Sequence, residues 1–585
     1  MRPADLALLR TPGVPAVSPD GRIAVVAVER PDPGSDGYRA QLWAVPTDGS
    51  APARPLTSGA RDCAPAFSPD GRWLAHLSAR PGEPAQLHLL PTAGGAPRSL
   101  TDLPLGAGVP VWSPDSRRLA FTARLPGPGA GTPRLLTRLP LRPDEGPPRR
   151  VFVVALPGDP DDDAVPLPAP REVTDGGGDD ADVAWSPDGG TLAFVSARHA
   201  RAGRDLVRDV YLVPAAGGEP RRVTRGRGEC RLPAFGPDGR TLYATARPDL
   251  GPAGLDLGTG GPTLCRVPVA GGALEPLLAE PRADETPTTV LAGGAALLGV
   301  ARRGAVELLR VPLDGGPAET LVEGPFTVRG VAAAGGVVVA TVAHDRSAGE
   351  LVALTPGRRR LLTGFGRALG ATGRLHRAAG LETPPGGRVT VPGGPGPHPV
   401  LLVLPGGGWC LREDVQVLVS AGYAVVQGDP DDVPAATALL DAAVTGRPLD
   451  AGRVGVLATG EAAGTALRLL AGPGRVAAAV VERPPAGSLP DDLDAVRTPL
   501  LVVAAEDDRD WPPGEGPRLF AALQRRGVPS ELLLLPGDRP GDRAARLEHL
   551  LRWWDRWLPA GQGAEQAPAG ASPATGTGPE GSRAP

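Results

Sequence analysis

The 585-residue sequence contains no lysine, no asparagine and a single isoleucine, Ile23, so every basic side chain is an arginine. That skew follows GC-rich codon usage more closely than it follows adaptation to a ligand. The four cysteines, Cys63, Cys230, Cys265 and Cys410, lie far apart with no Cys-x-x-Cys spacing. Such spacing excludes a zinc ribbon, offers no disulfide framework and fits a reducing compartment. No apolar run approaches the roughly 18 residues of a membrane span, and Met1-Arg2-Pro3-Ala4-Asp5-Leu6 lacks the apolar core of a signal peptide. A formal net charge of -4 and a pI near 6.1 supply no general field for nucleic acid. These absences predict a soluble, cytoplasmic protein with no cofactor, no metal, and no nucleic-acid or membrane partner.

Glycine (82) and proline (72) are abundant instead, about a quarter of the chain, which borders on compositions that do not fold. Their placement argues for tight turns in a β-rich fold. Ser18-Pro19-Asp20-Gly21-Arg22 recurs at Ser68, at Ser113 (with Ser116 for Gly), at Ser186 and, with Gly236 for Ser, at Gly236-Pro237-Asp238-Gly239-Arg240. The period is about 50 residues, with one longer interval after Ser113, and such a period signals propeller blades. Proline fixes φ and glycine accepts a positive φ, so each repeat reads as a turn entering a short strand such as 73–77 or 191–195. Two fainter units near 296–300 and 337–341 keep the rhythm. Together they predict seven blades over about residues 10–365, in a propeller domain spanning 1–365.

The long interval holds an Arg- and Pro-rich stretch, 133–144, best read as a solvated loop. Asp159, Asp161, Asp162 and Asp163 lack the ligand spacing and glycine of a calcium loop and read as another charged loop.

After a linker, 366–395, apolar strands alternate with helical stretches over 396–558, the pattern of a mostly parallel sheet covered by helices. Strands are expected at 399–404, 423–427, 453–457, 476–481, 499–504 and 530–535. Helices are expected near 411–421, 433–445, 461–472, 514–526 and 542–558. The last carries Leu547, Leu551, Trp554 and Leu558 on one stripe. Residues 559–585 are rich in Ala, Gly and Pro and are expected to be disordered.

One turn in this domain carries chemistry. The strand Arg453 to Ala458 runs into Thr459-Gly460-Glu461-Ala462-Ala463-Gly464, followed by a helical segment. This has the form of the Gly-x-Ser-x-Gly elbow that raises a nucleophile above a sheet, with Glu461 in the nucleophile's place. A hydroxyl can be activated by a neighbouring imidazole and acylated, whereas a carboxylate attacking an amide would give a labile mixed anhydride.

The order of parts resembles the prolyl oligopeptidase family of serine peptidases, in particular its acylaminoacyl-peptidase and dipeptidyl-peptidase-like bacterial branch. The resemblance rests on the Ser-Pro-Asp-Gly blades, the 134–144 insertion, Gly406-Gly407, the stretch 416–426, and Thr498 to Val503 followed by Glu506-Asp507-Asp508. It implies a β-propeller capping an α/β-hydrolase-type domain with a Ser-Asp-His triad that cleaves short peptides. Carried over residue by residue, the nucleophile position is Glu461, the acid position is Asp508, and the histidine position, after Pro536-Gly537, is Pro540. The oxyanion hole would be made by backbone at Gly406, Gly407 and Ala462, although Pro405 stands where the family has histidine. The span 423–453 is shorter than in members of the family, and the leading strand pair of the sheet is not evident. A shortened, mostly parallel sheet is therefore expected.

Loss of nucleophile and base together predicts a catalytically inactive homologue whose propeller-capped pocket binds short peptides or a partner. Enclosed and paired with one arginine, Glu461 would suit a peptide's amino end. One alternative is an active serine-type peptidase with a non-standard triad, for which Ser420, Ser488 and Ser530 are the available hydroxyls. The other is a propeller scaffold with a remnant hydrolase domain. His398 reads as a loop residue, His549 as a residue of the last helix, and Cys410 as a small buried hydrophobe.

Overall fold

The computed structural model describes residues 1–561 apart from 33, 127–146, 157–168, 257–260, 279–289, 356, 383–385, 473–475, 486–492 and 507–514. The loops at 133–144 and 159–163, the acid position Asp508, Ser488, and the tail from 562 lie outside the described residues.

Seven four-stranded antiparallel sheets follow one another from Thr11 to Leu361. The first is built of Thr11–Val17, Ile23–Asp32, Gly37–Pro46 and Arg54–Pro55. The seventh is built of Thr327–Ala334, Val337–His344, Ser347–Thr355 and Arg358–Leu361. Single parallel bridges, Ala40 to Arg61 and Val306 to Thr327, join the first blade to the second and the sixth to the seventh. This is the seven-bladed propeller read from the repeats.

The Ser-Pro-Asp-Gly turn is closed by its own side chains. Ser18 Oγ donates to Asp20 Oδ1 at 2.6 Å and accepts from the Ile23 amide at 3.0 Å, while Gly21 takes φ +75°. Ser68 with Asp70 and Ser186 with Asp188 repeat the bond at 2.5 Å. In the fifth blade, where Gly236 replaces the serine, the Thr241 hydroxyl serves Asp238 at 3.0 Å. The two blades without the motif begin instead with glycine turns at Gly293-Gly294 and Gly335-Gly336, all with positive φ.

The second domain is a single eight-stranded sheet: β1 (Ala378–Leu381), β2 (Gly387–Thr390), β3 (His398–Leu404), β4 (Ala424–Gly428), β5 (Leu449–Thr459), β6 (Val476–Glu482), β7 (Leu500–Ala505) and β8 (Ser530–Leu535). Its spatial order is β1-β2-β4-β3-β5-β6-β7-β8, with β1 and β2 antiparallel and β3 to β8 mutually parallel. This corrects two expectations. The leading strand pair is present, so the sheet is not shortened in strand number, and the pair falls inside the 366–395 segment read as a linker. Both strands are only four residues long and include glycine, so they lack the β-branched run that marks the other strands.

Helices α1 (Glu413–Ser420), α2 (Val433–Val444), α3 (Ala462–Ala471), α4 (Glu515–Arg525) and α5 (Pro540–Trp557) cover the sheet. One core packs α2, α3 and α4 on one face, through Leu439, Ala466 and Leu519 among others, and a second packs α1 and α5 on the other through Leu418, Leu550 and Trp554. His398 opens β3 and is buried, so it is not a loop residue.

Several hydrogen bonds seat the sheet domain on blades one, six and seven. Trp409 N donates to Gly304 O (2.8 Å), Thr327 Oγ1 to Trp409 O (2.9 Å), Gln416 Nε2 to Asp345 O (3.0 Å) and Gly541 N to Asp36 Oδ1 (2.8 Å).

Gly455 in β5 fixes the docking of α5. A Cβ there would lie 2.5 Å from the Trp554 ring and 2.7 Å from Leu401, so only glycine admits the fully buried indole. Gly455→Ala is expected to cost about 1–3 kcal/mol by overpacking. Trp554→Ala is expected to cost about 3–5 kcal/mol by opening a cavity. Urea unfolding followed by circular dichroism measures both, and a Gly455→Ala protein as stable as the parent would contradict this packing.

Candidate functional site

Strand β5 lies at the centre of the sheet, and its last residues bring Gly460 to the carboxyl edge, where loops leave open space above an α/β sheet. Val456, Leu457 and Ala458 are fully buried, Gly460 turns the chain with φ +59°, and α3 begins at Ala462 with Ala463 and Gly464 packed against the sheet. The left-handed backbone therefore falls on Gly460. Glu461 has ordinary helical angles, φ −59° and ψ −28°, so the turn holds no strain at the residue that takes the nucleophile's place.

Glu461 is exposed, and no hydrogen bond or ion pair joins its side chain to another described residue. The enclosure by the propeller and the arginine partner envisaged from the sequence are not found for it.

Pro540 is the first residue of α5. A proline suits that position because its missing N–H is one that a helix start leaves unpaired. The next amide, Gly541 N, is taken by Asp36 of the propeller. All seven histidines are described, and none bonds to Glu461. His549 is exposed on α5.

One histidine does meet a serine. His376 Nε2 lies 3.2 Å from Ser420 Oγ at the last residue of α1. That hydroxyl donates to the Arg374 carbonyl at 3.2 Å and also receives the Met1 ammonium. Burial is the main cause that lowers the ammonium to about 6, and the same cause lowers His376.

The oxyanion expectation is corrected at Gly406. Its amide donates to Asp429 Oδ1 at 2.7 Å, so it has no hydrogen left for a substrate oxygen. The cause is close packing: a Cβ on Gly406 would fall 2.5 Å from Gly428 N, which presses the loop onto the end of β4 beside Asp429. The Gly406 carbonyl accepts from Arg388 Nη2 (2.5 Å) and Gln427 Nε2 (2.8 Å), and that of Gly407 from Arg388 Nη2 (2.7 Å). Arg388 also stacks on Trp409, 5.2 Å from the ring centroid. The Ala462 amide belongs to the first turn of α3, which has no intrahelical acceptors.

The dominant feature of this edge is an arginine–carboxylate network. Glu482, the last residue of β6, accepts Gly460 N on its carbonyl (2.9 Å), Thr459 Oγ1 on its carboxylate (3.2 Å), and a bidentate pair from Arg546 Nε and Nη2 (both 2.8 Å). Arg546 Nη2 lies 3.9 Å from Asp414, which Arg412 grips through Nε (3.2 Å) and Nη2 (2.7 Å). Arg412 Nη1 reaches the Pro405 carbonyl at 2.8 Å. Arg543 joins Glu413 to the Tyr38 hydroxyl of the first blade, the latter at 2.8 Å. The sequence does hold a signal for this network. Arg543 and Arg546 fall on the side of α5 that carries Leu547, Leu550 and Trp554, and charges within an apolar stripe need buried partners.

Burial alone would raise the Asp414 carboxyl, but the Arg412 guanidinium, with Arg546 behind it, outweighs that and holds it at about 2. Burial likewise opposes the charge on Arg546, and Glu482 overcomes it and raises the group. Two cavities, of about 590 and 350 Å³, open between the fourth and fifth blades and beside Trp553 and Trp557; Glu461 lines neither.

No family model and no curated protein sequence matches the chain. Solved structures do. The acylaminoacyl peptidase of Pyrococcus horikoshii is 13% identical over 97% of this chain and 98% of its own, with a TM-score of 0.76. A puromycin-hydrolyzing peptidase of Mycobacterium tuberculosis is 20% identical over 97% of each chain, with a TM-score of 0.69. A prolyl endopeptidase is 16% identical over 96% of this chain and 91% of its own, with a TM-score of 0.62. The chain therefore has the propeller-plus-hydrolase fold of prolyl oligopeptidase-type peptidases.

Asp414 is expected to give the sheet domain an acid limit. A carboxyl lowered in the folded state stabilises fully above its unfolded value near 4 and loses that contribution as pH falls toward about 2. Asp414→Asn leaves Arg412 buried without its partner and is expected to cost about 3–5 kcal/mol at neutral pH. It should also flatten the loss of stability between about pH 4 and pH 2. Urea midpoints across that range read both effects, and an unchanged acid limb in the variant would exclude Asp414 as its source.

Proposed function

We propose that this protein is a peptidase-fold homologue that does not hydrolyse peptides by a serine mechanism and instead binds short peptides between its two domains. The reading rests on two residues: Glu461, exposed on the turn expected to carry the nucleophile, and Pro540, which starts α5 where the family resemblance leads one to expect a histidine. A carboxylate that attacked an amide would leave an anhydride needing an activated water, and no histidine serves that turn among the described residues. Around it the arginines are matched by carboxylates: Arg412 with Asp414, Arg543 with Glu413, Arg546 with Glu482. The Glu461 carboxylate has no such partner among the described residues, and it suits a cation such as a peptide's amino end. Four free thiols support a reducing, cytoplasmic location for this reading.

The second reading is an active peptidase using the His376–Ser420 pair. Against it, the Ser420 hydroxyl gives its proton to a backbone carbonyl and abuts a buried ammonium, an arrangement that ties the segment down instead of freeing a nucleophile.

A fluorophosphonate probe and acylated peptide substrates separate the two. No labelling and no hydrolysis above background are expected for the parent protein. Labelling that disappears in Ser420→Ala would establish the second reading, and labelling at another serine would overturn the first. For binding, a short peptide with a free amino end is expected to lose roughly fivefold or more in affinity on Glu461→Gln, by about the energy of one charge-assisted hydrogen bond. Equal affinity of both proteins by calorimetry would remove Glu461 from the binding role.

A further inference from the structure

We propose that the outer edge of the seventh blade is a docking strand for an extended acidic segment of a partner protein. Three independent features meet on Arg358–Leu361.

The first is an open ladder. This strand pairs on one side with Ser347–Thr355 and has no neighbour on the other among the described residues. Leu362 N donates inward to Leu351 O at 2.8 Å. By the alternation of an antiparallel ladder, Arg358 and Arg360 also face inward, so the N–H and C=O of Arg359 and Leu361 point outward. The strand is four residues long, whereas the outer strands of the first five blades have two each.

The second is charge. Arg358, Arg359 and Arg360 are consecutive, and none makes an ion pair within 4 Å with a described residue, although most arginines of blades three to five do. The stem of Arg360 rests against Gly49 of the first blade, which leaves Arg358 and Arg359 at the free rim.

The third is Leu361, 64% exposed, the largest exposure among the described large apolar side chains that stand out from the surface. Arg359 and Leu361 share one face of the strand, and Arg358 and Arg360 the other.

Charge on an edge strand commonly serves to prevent pairing. A long edge that ends in an exposed leucine defeats that purpose, while it matches strand addition, in which backbone bonds give affinity and alternate side chains give specificity. The complementary segment is extended, carries carboxylates opposite the arginines and sets an apolar residue against Leu361. A nucleic acid would neutralise the arginines but leave the outward backbone groups and Leu361 unmatched.

The test is fluorescence anisotropy with a labelled, end-blocked hexapeptide of alternating glutamate and valine at low salt. Saturable binding is expected. It should weaken at least about tenfold in the Arg358→Glu, Arg359→Glu double variant, the sum of two or three surface charge contacts. It should also weaken in Leu361→Ser and be lost for the same peptide N-methylated at alternate residues, which keeps the charge and removes the ladder donors. Circular dichroism of these surface variants checks that the propeller is intact. Three outcomes would each overturn the proposal: no saturable binding of the acidic peptide, equal binding of the N-methylated peptide, or tighter binding of a single-stranded oligonucleotide of similar charge.

Discussion

The bidentate contact between Glu482 and Arg546 holds the carboxyl edge of the sheet together. Its carboxylate takes the guanidinium of α5 and the hydroxyl of Thr459, and its carbonyl takes the Gly460 amide, so one residue orients the elbow from below and docks the terminal helix from the side. Glu482 is buried and the Arg546 side chain is only about 20% exposed, so an unpaired charge on Glu482 would cost several kcal/mol. The pairing is thus obligatory once α5 packs on the sheet. It continues through Asp414 and Arg412 to the Pro405 carbonyl, and through Glu413 and Arg543 to Tyr38 on the propeller.

A network of this kind and a serine-hydrolase site make opposite demands. Catalysis needs donors and acceptors left open, aimed at charge that appears only in the transition state. Here the Gly406 amide is spent on Asp429, and the carbonyls of the same loop are spent on Arg388, Arg412 and Gln427. Saturation lowers the energy of the folded state and takes the Gly406 amide away from any oxyanion. Glu461 stands outside this economy. It sits on unstrained backbone, exposed and with no side-chain partner among the described residues, which suits reversible contact with a cation more than bond making.

The legible parts of the sequence were those whose physics is local. The Ser-Pro-Asp-Gly turn closes with its own hydroxyl and carboxylate, so four marked blades and the glycine variant could be counted without a structure. The strands from β3 to β7 are apolar runs, largely buried, and β8 is a leucine run on the sheet's edge, so their places followed from composition. The pair β1 and β2 escaped because four-residue strands containing glycine carry no period, and they exist only because β4 offers an edge to pair with. Glu482 and Arg546 escaped for a related reason. They are 64 positions apart, and nothing near either one in the chain announces the other. The occupied Gly406 amide depended on a contact with Gly428, again outside any local window.

The same division explains how identities of 13–20% coexist with coverage of nearly the whole chain. Blade turns, sheet order and the Gly455–Trp554 contact are each satisfied by few residues and tolerate change around them. A triad is not of that kind, since its members come from separate loops and lose their value together when one is replaced. On the reading proposed above, with Glu461 and Pro540 at the expected catalytic positions, no catalytic demand would keep the neighbouring groups unpaired, and the edge is filled with mutually compensating charges. The Arg412–Asp414–Arg546–Glu482 chain is that filling. It ties the loop before α1, the elbow and the terminal helix into one edge beside the Glu461 carboxylate.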